Sequence, residues 1–343
     1  MATIRDVARL ANVSVATVSN ALNNAERVSP ELQARVRAAV DKLGYAPDAA
    51  ARSLRKGSSR LIGLIVGDIT NPFFSDLFEA VEDAAAARGY LVLLCNSNER
   101  VEREEAHLRM LRSQRIDGLI LAPTGAVSMN RAALLAALEI PVVLVDRAMD
   151  GLGYDAVVLD NRHAAYEATA HVTGHGHRRI ALINGPEVVR TAADRLQGYR
   201  EALLAAGLAF DQALVRDAGF QEQAAYDAAV DLLRGEAPPT AILATNNLMT
   251  IGALRAFADL GLNCPGDVSI VGIDDLSWAE AVTPRLTTVA QPVRAMGEAA
   301  LDLVVERLSG AHTEPGATMV MAPRLIVRNS CATPALSQAV HAR

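Results

Sequence analysis

From Leu61 onward the chain alternates short runs of Val, Ile and Leu with alanine-rich stretches of helical length. The runs are 61–66, 90–94, 118–122, 142–145, 156–159, 180–183, 241–244, 269–273 and 325–327, with a further strand read near 214–217. Near-continuous apolar runs bounded by Gly, Pro or Asp are strands buried on both faces, and the helical stretches supply the cover. The expected class is therefore α/β with parallel sheets. The 283 residues beyond Arg60 hold too many strands for one small sheet. Two similar doubly wound lobes fit better. The first begins near Leu61. The second begins near His163, where a helix over 164–173 leads into the run RRIALING.

The first sixty residues have a different texture. Thr3 can cap a helix, with Asp6 three residues on as a short-armed capping box. Val7, Ala8 and Leu10 give that helix an apolar face. Asn12-Val13-Ser14 interrupts the pattern, and Ser14 can cap a second helix. There Val15, Val18 and Leu22 recur at helical spacing and are expected to face the partner helix, leaving Ala16, Thr17, Ser19, Asn20 and Asn24 outside. This outer face is small, polar and uncharged. It suits a helix that enters the major groove and offers hydroxyl and amide groups to bases and phosphates. A third helix follows Ser29-Pro30-Glu31, with Leu32, Val36, Ala39, Val40 and Leu43 as its buried stripe and Gly44 as its stop. Residues 46–60, APDAAARSLRKGSSR, have little apolar face, so a helix there is too short to hold by itself in water.

Charge separates the same two parts. Residues 1–60 hold ten Lys/Arg against five Asp/Glu, while the rest holds 23 against 34. A basic head on an acidic body is expected when only the head meets phosphate. Arg5, Asp6 and Arg9 interrupt the N-terminus, which has no signal-peptide core, and no uninterrupted apolar run is long enough to span a bilayer. A cytoplasmic location with no membrane partner is the expectation. Cys95, Cys264 and Cys331 are scattered without a CxxC pair and read as buried or incidental thiols.

The segment TIRDVARLANVSVATVSNALN, continued by RVSPELQARVRAAVDKLGYAPDAAARSLRKGSS, closely resembles the N-terminus of the LacI/GalR family of regulators. The shared elements are V-S-x-x-T-V-S at the second helix, L-G-Y-x-P before the hinge and A-R-S-L within it. The resemblance implies a helix-turn-helix headpiece over 1–46 and a hinge helix and linker over 47–60. It implies a periplasmic-binding-protein-like core whose chain crosses three times between lobes. The first lobe then takes 61–162 with 291–322, the second 163–290 with 323–334, and 335–343 is a tail. The implied partners are double-stranded operator DNA, a small-molecule effector and a second copy in a homodimer, with a tetramer left open. The implied DNA contacts are Thr3, Ser14, Val15, Ala16, Thr17, Ser19, Asn20, Asn24, Tyr45, Ala51, Arg52, Leu54 and Arg55. Leu54 would wedge between base steps as the hinge folds on the minor groove.

Ligands of open α/β folds bind beyond the C-terminal ends of the strands. The residues that follow the runs are Asp68 to Phe74, Asp146-Arg147, Asp160-Asn161, Arg190 and Arg195, Phe220, Asn246-Asn247, Asp274-Asp275 and Gln291. Carboxylates, amides and arginines bond hydroxyls, and aromatic rings cover C–H faces, so a sugar or sugar derivative suits the set. The resemblance places effector contacts at Phe73, Phe74, Arg147, Asp160, Arg195, Phe220, Asn246, Asp274 and Gln291. Asp160 is equally a helix cap. Trp278 either stacks on a sugar ring or belongs to the core. Arg190 with Arg195 would suit an anionic ligand, unless Arg190 is merely solvated.

No catalytic set is legible. His171, His175 and His177 read as a structural turn away from the strand ends, not a metal site, and no cofactor is expected. Adjacent Asp274 and Asp275 rarely converge on one atom. No Walker loop or complete GxGxxG is present. A transport receptor would need a signal peptide and no headpiece, and a sugar-modifying enzyme would need catalytic residues. The expectation is a ligand-responsive DNA-binding regulator, most simply a repressor. Control by a nucleobase or by a protein co-regulator is the alternative.

Overall fold

The computed structural model describes residues 2–23, 25–45, 58–125, 128–149, 151–311 and 316–334. Two compact units result, Met1–Ser59 and Arg60–Arg343.

In the first unit, α1 (Ile4–Ala11), α2 (Val15–Asn23) and α3 (Pro30–Leu43) enclose a small core of Val7, Ala8, Ala11, Val18, Val36 and Ala39. Thr3 and Asp6 close a reciprocal capping box, and the Thr17 N–H donates to Ser14 Oγ at 3.0 Å. Arg35 reaches from α3 to the Ala11 and Asn12 carbonyls at 2.6 and 3.1 Å, fixing the turn between the first two helices. Two expectations fail here. Leu10 is 44% exposed and Val15 40% exposed. Val15 opens α2 and stays outside the core that Val18 and Leu22 join, so helical spacing alone overstates the buried stripe. Of the expected DNA contacts, Asn24, Ala51, Arg52, Leu54 and Arg55 lie outside the described residues, as does the tail 335–343.

The second unit contains two six-stranded sheets. The first has the order β11-β5-β4-β3-β1-β2 and is wholly parallel; the second has the order β12-β10-β9-β8-β6-β7, with only β12 antiparallel. The strands are β1 (Leu61–Val66), β2 (Leu91–Asn96), β3 (Gly118–Leu121), β4 (Val142–Val145), β5 (Asp155–Leu159) and β6 (Ile180–Asn184). The remainder are β7 (Val215–Asp217), β8 (Ala241–Ala244), β9 (Ser269–Ile273), β10 (Thr287–Ala290), β11 (Thr318–Met321) and β12 (Arg324–Ile326). The central strands β3, β4, β6, β8 and β9 are buried along their whole length. Each fully buried Leu, Ile or Val there contributes about 1.5–3 kcal/mol.

After β5 the chain enters the second lobe through a helix over Asn161–Gly174, whose Ala164, Ala165, Ala168 and Val172 pack with Ile180 and Val271. After β10 it returns through a helix over Val293–Ser309, whose Met296, Ala300, Leu301 and Val304 pack with Ile62, Val143 and Val157 of the first lobe. The edge strand β11 then completes the first sheet, and β12 the second. β11, TMVM, is a short and largely exposed edge strand without the Val/Ile/Leu run of the buried ones, so no apolar run marked it.

Candidate effector cleft and DNA-contacting face

The C-terminal ends of strands from both lobes converge on one cavity. It is lined by Asp68, Asn71, Phe73 and Phe74 after β1, Glu99 after β2, and Asp146 and Arg147 after β4. From the second lobe come Thr191, Arg195, Phe220, Gln221, Asn246, Leu248, Asp274 and Gln291. Eight of the expected effector residues therefore meet: Phe73, Phe74, Arg147, Arg195, Phe220, Asn246, Asp274 and Gln291. The cavity volume is only about 30 Å³. Small-molecule pockets run to roughly 300–1,000 Å³, so a ligand enters this one only if the lobes part.

Helix N-termini carry much of the positioning. Asn71 accepts from the Phe73 N–H at 3.1 Å and so caps the helix Pro72–Ala87, which delivers Phe73 and Phe74 edge-to-face with centroids 5.0 Å apart. Asn246 caps the helix Asn247–Asp259 through the Met249 N–H at 2.7 Å and donates to the Phe220 carbonyl at 3.3 Å. Phe220 has φ +61°, a left-handed conformation that costs a non-glycine residue free energy and that packing must enforce. Its ring lies against Gly185, where a Cβ would fall 2.1 Å from the ring edge.

Charges are dense and dry. Arg147 makes a two-pronged pair with Glu99 at 2.7 and 2.8 Å, donates to the Pro123 carbonyl at 3.1 Å and stands 5.3 Å from the Phe220 ring centre. Burial works against its charge, but Glu99 and then Asp146 outweigh it and hold its pKa above the ordinary value. Arg195 donates to Asn161 Oδ1 at 2.8 Å and to the Thr245 carbonyl at 2.5 Å. Burial lowers its pKa, with Asp274 and Asp146 opposing. Burial likewise raises Asp146, against Arg147 and Arg195, and raises Asp274, against Arg195 and a hydrogen bond from Gln291. Gln291 spends its Nε2 on Asp274, while its Oε1 is buried without a hydrogen-bond donor.

Three expected residues lie elsewhere. Asp160 accepts from the His163 N–H at 2.9 Å and caps its helix. With Arg190 it lines an adjoining chamber of about 370 Å³, which shares Asp146, Arg147 and Thr191 with the cavity. Arg190 is tied to Asp194 at 3.0 Å and half-exposed, so it does not join Arg195 in a cationic pair. Trp278 is packed against the apolar core of the second lobe and lines neither space. Glu99, Thr191, Gln221 and Leu248 were not anticipated. Glu99 follows β2, and the rule applied to the other strand ends would have found it there.

Three histidines lie away from the cavity lining. His177 is buried among Thr240, Ser269 and the Ala332 carbonyl, and the His171 and His175 rings meet edge-to-face with centroids 4.6 Å apart. Among the described residues no three His, Cys, Asp or Glu side chains could hold a metal. No helix among them is long and apolar enough to cross a membrane. On the headpiece, Ala16 and Val15 are exposed and Thr17, Ser19 and Asn20 half-buried, while Tyr45 packs partly on the small core. Ser14 and Thr17 share a hydroxyl–hydroxyl bond of 2.8 Å at the start of α2.

Residues 3–48 match the bacterial regulatory proteins of the lacI family, and residues 59–326 match the periplasmic binding proteins and sugar binding domain of that family. The chain belongs to the LacI family. It is 35% identical over 330 residues to the HTH-type transcriptional repressor PurR of Vibrio campbellii, covering 96% of this chain and 98% of that one. It is similar in structure to the lac repressor dimer bound to operator and the anti-inducer ONPF, with a TM-score of 0.85 and 27% identity over 96% of this chain and 99% of that one. A complex of the regulator CelR with cellobiose gives 0.73 and 32%, covering 96% of this chain and all of the other. This LacI-family chain is accordingly a DNA-binding transcriptional repressor and not an enzyme.

Proposed function

We propose that this repressor acts as a homodimer on a near-palindromic operator and is controlled by a hydroxyl-rich ligand of the sugar class, bound between the lobes at the cavity of Arg147, Arg195, Asp274 and Gln291. The carrying observation is the buried, unpaired Gln291 Oε1 beside the Asp274 carboxylate. Acceptors in a dry site call for donors, and a leaving an acceptor unmatched costs about 1–3 kcal/mol. A sugar hydroxyl supplies the donor and also accepts from the Arg195 guanidinium. The CelR relative is described with cellobiose, which supports the class.

One headpiece reads few base pairs, so two-fold pairing of protein and DNA supplies useful specificity. The lac repressor neighbour is described as a dimer on operator, which supports that arrangement. On this reading α2 enters the major groove, Asn20 pairs with an adenine edge, Val15 and Ala16 touch thymine methyls, and Thr17 and Ser19 bond phosphates. The repressor acts in the cytoplasm, where its operator is.

A thermal-shift screen of sugars, sugar acids, sugar phosphates and nucleobases tests the effector class. A ligand at a hundred times its Kd raises apparent stability by about 2.7 kcal/mol. A sugar that stabilises the wild type and not Arg195→Ala is the expected result. A nucleobase as the sole stabilising ligand would overturn the sugar reading.

A further inference from the structure

We propose that Glu99 sets the charge class of the effector, excluding carboxylates and phosphates from the cleft and admitting uncharged polyols; this rests on the cleft being the effector site. Arg147 is the guanidinium that an anion would seek, because a planar fork of N–H groups matches a carboxylate or phosphate with two parallel bonds. Glu99 already occupies that fork, one carboxylate oxygen to each terminal nitrogen at 2.7 and 2.8 Å. The chain's own carboxylate stands where a ligand's would.

Several features hold it there. The Ser97 hydroxyl lies on the Val66 carbonyl at 3.0 Å, and the Glu99 N–H donates to the Gly67 carbonyl at 2.8 Å, so the turn after β2 is strapped to the exit of β1. Asn98 and Glu99 are both left-handed, with φ +52° and +53°, a pairing that two non-glycine residues adopt only when their surroundings enforce it. Gly67 leaves the lane open: a Cβ there would fall 2.4 Å from Glu99 Oε1.

The surrounding charge acts in the same sense. The cavity wall carries Asp68, Glu99, Asp146 and Asp274 against Arg147 and Arg195. Arg195 already gives its Nε to Asn161 and an Nη1 hydrogen to the Thr245 carbonyl, and it faces Asp274, so it keeps single N–H groups for a hydroxyl and not a whole fork for an anion. An incoming phosphate would meet an acid-rich wall with its one matching fork filled. Discrimination of this kind comes from a repulsive group aimed at the wrong ligand. A polyol, by contrast, accepts from whatever donors are left and donates to Gln291 and the carboxylates.

The test compares full-length wild type, Glu99→Gln and Glu99→Ser by calorimetric titration and thermal shift. The probes are matched pairs: ribose with ribose 5-phosphate, and glucose with glucose 6-phosphate and glucuronate. Operator binding without ligand reports that each variant is folded, and Glu99→Ser stands in should Glu99→Gln not fold. The expected result is that the wild type rejects every anionic member and that the variants gain at least tenfold in the ratio of anionic to neutral binding. A fold-clamping role for Glu99 would weaken all ligands alike and leave that ratio unchanged. Variants with an unchanged ratio, or a wild type that binds an anionic probe and loses it in Arg195→Ala, overturn the proposal. Anion binding gained in the variants but untouched by Arg195→Ala would instead sink the cleft as the effector site.

Discussion

Asn247 donates its Nδ2 to Asn71 Oδ1 at 3.3 Å, joining the two lobes through the first turns of two helices. Asn71 caps one helix and Asn247 opens the other, so the bond ties lobe closure to the backbone at both strand ends. The Asn247 backbone N–H also bonds Asp274. Closure and the acidic floor of the cleft are thereby linked.

Asn247→Ala removes this inter-lobe bond and leaves the Asp274 contact in place. A neutral hydrogen bond is worth about 0.5–1.5 kcal/mol, so the closed form loses population by up to about tenfold. Small-angle scattering should show a larger core radius without ligand, and titration a correspondingly weaker effector.

Asp274 gives a pH prediction. Burial raises its pKa above the ordinary 3.8, so the folded core holds the proton more tightly than the unfolded chain does. Its contribution to stability is fully present below the unfolded value and is lost as pH rises through the raised folded value. At neutral pH the charge is therefore a cost. Asp274→Asn should raise the neutral-pH Tm by a few degrees, at about 2–4 °C per kcal/mol in a core of this size, and flatten the acid-range dependence. Asparagine tolerates the left-handed φ of +79°. Effector response should be lost. Melts from about pH 4 to about pH 7 check the slope.

For the DNA, Asn20→Ala should change the preferred base at one operator position, at a cost of about 1–3 kcal/mol. Binding-site selection on wild type and variant gives the comparison, and an identical preference in both would remove Asn20 from the base readers.

Leu54 lies outside the described residues, and its proposed role rests on sequence. Leu54→Ala should reduce operator bending and specific affinity while leaving effector affinity unchanged, since an apolar wedge is what unstacks a base step. Gel shifts with circularly permuted operator fragments measure the bend. Equal bending would make 46–60 a tether.

Much of this fold is legible because buried parallel strands are apolar on both faces. LIGLIV, GLIL, VVLV and SIVGI each announce a strand without help from their neighbours. TMVM does not, because as β11 it lies at an exposed edge and its placement depends on a partner, β5, far back in the chain. The return of Val293–Ser309 to the first lobe is likewise a tertiary fact; its own sequence says only that it is a helix with buried Met296, Ala300, Leu301 and Val304. In the cleft, position after a strand together with the family resemblance put eight of eleven expected side chains on one cavity wall. It failed for Trp278, where an apolar ring found the lobe core, and for Asp160, where the nearest backbone N–H claimed the carboxylate. Glu99 was missed because the strand-end rule was not carried to β2, whose exit turn brings it to the cavity.

On the proposed reading, a ligand between the lobes governs operator binding by the headpiece. Fluorescence-anisotropy titration of operator DNA, with and without the ligand found by thermal shift, measures this on wild type, Arg195→Ala and Asp274→Ala. The expected result is a change in operator affinity of at least about tenfold in the wild type, equivalent to about 1.4 kcal/mol of coupling, and none in either variant, with all three binding operator equally well when ligand is absent. Variants that respond to the ligand as the wild type does would contradict it.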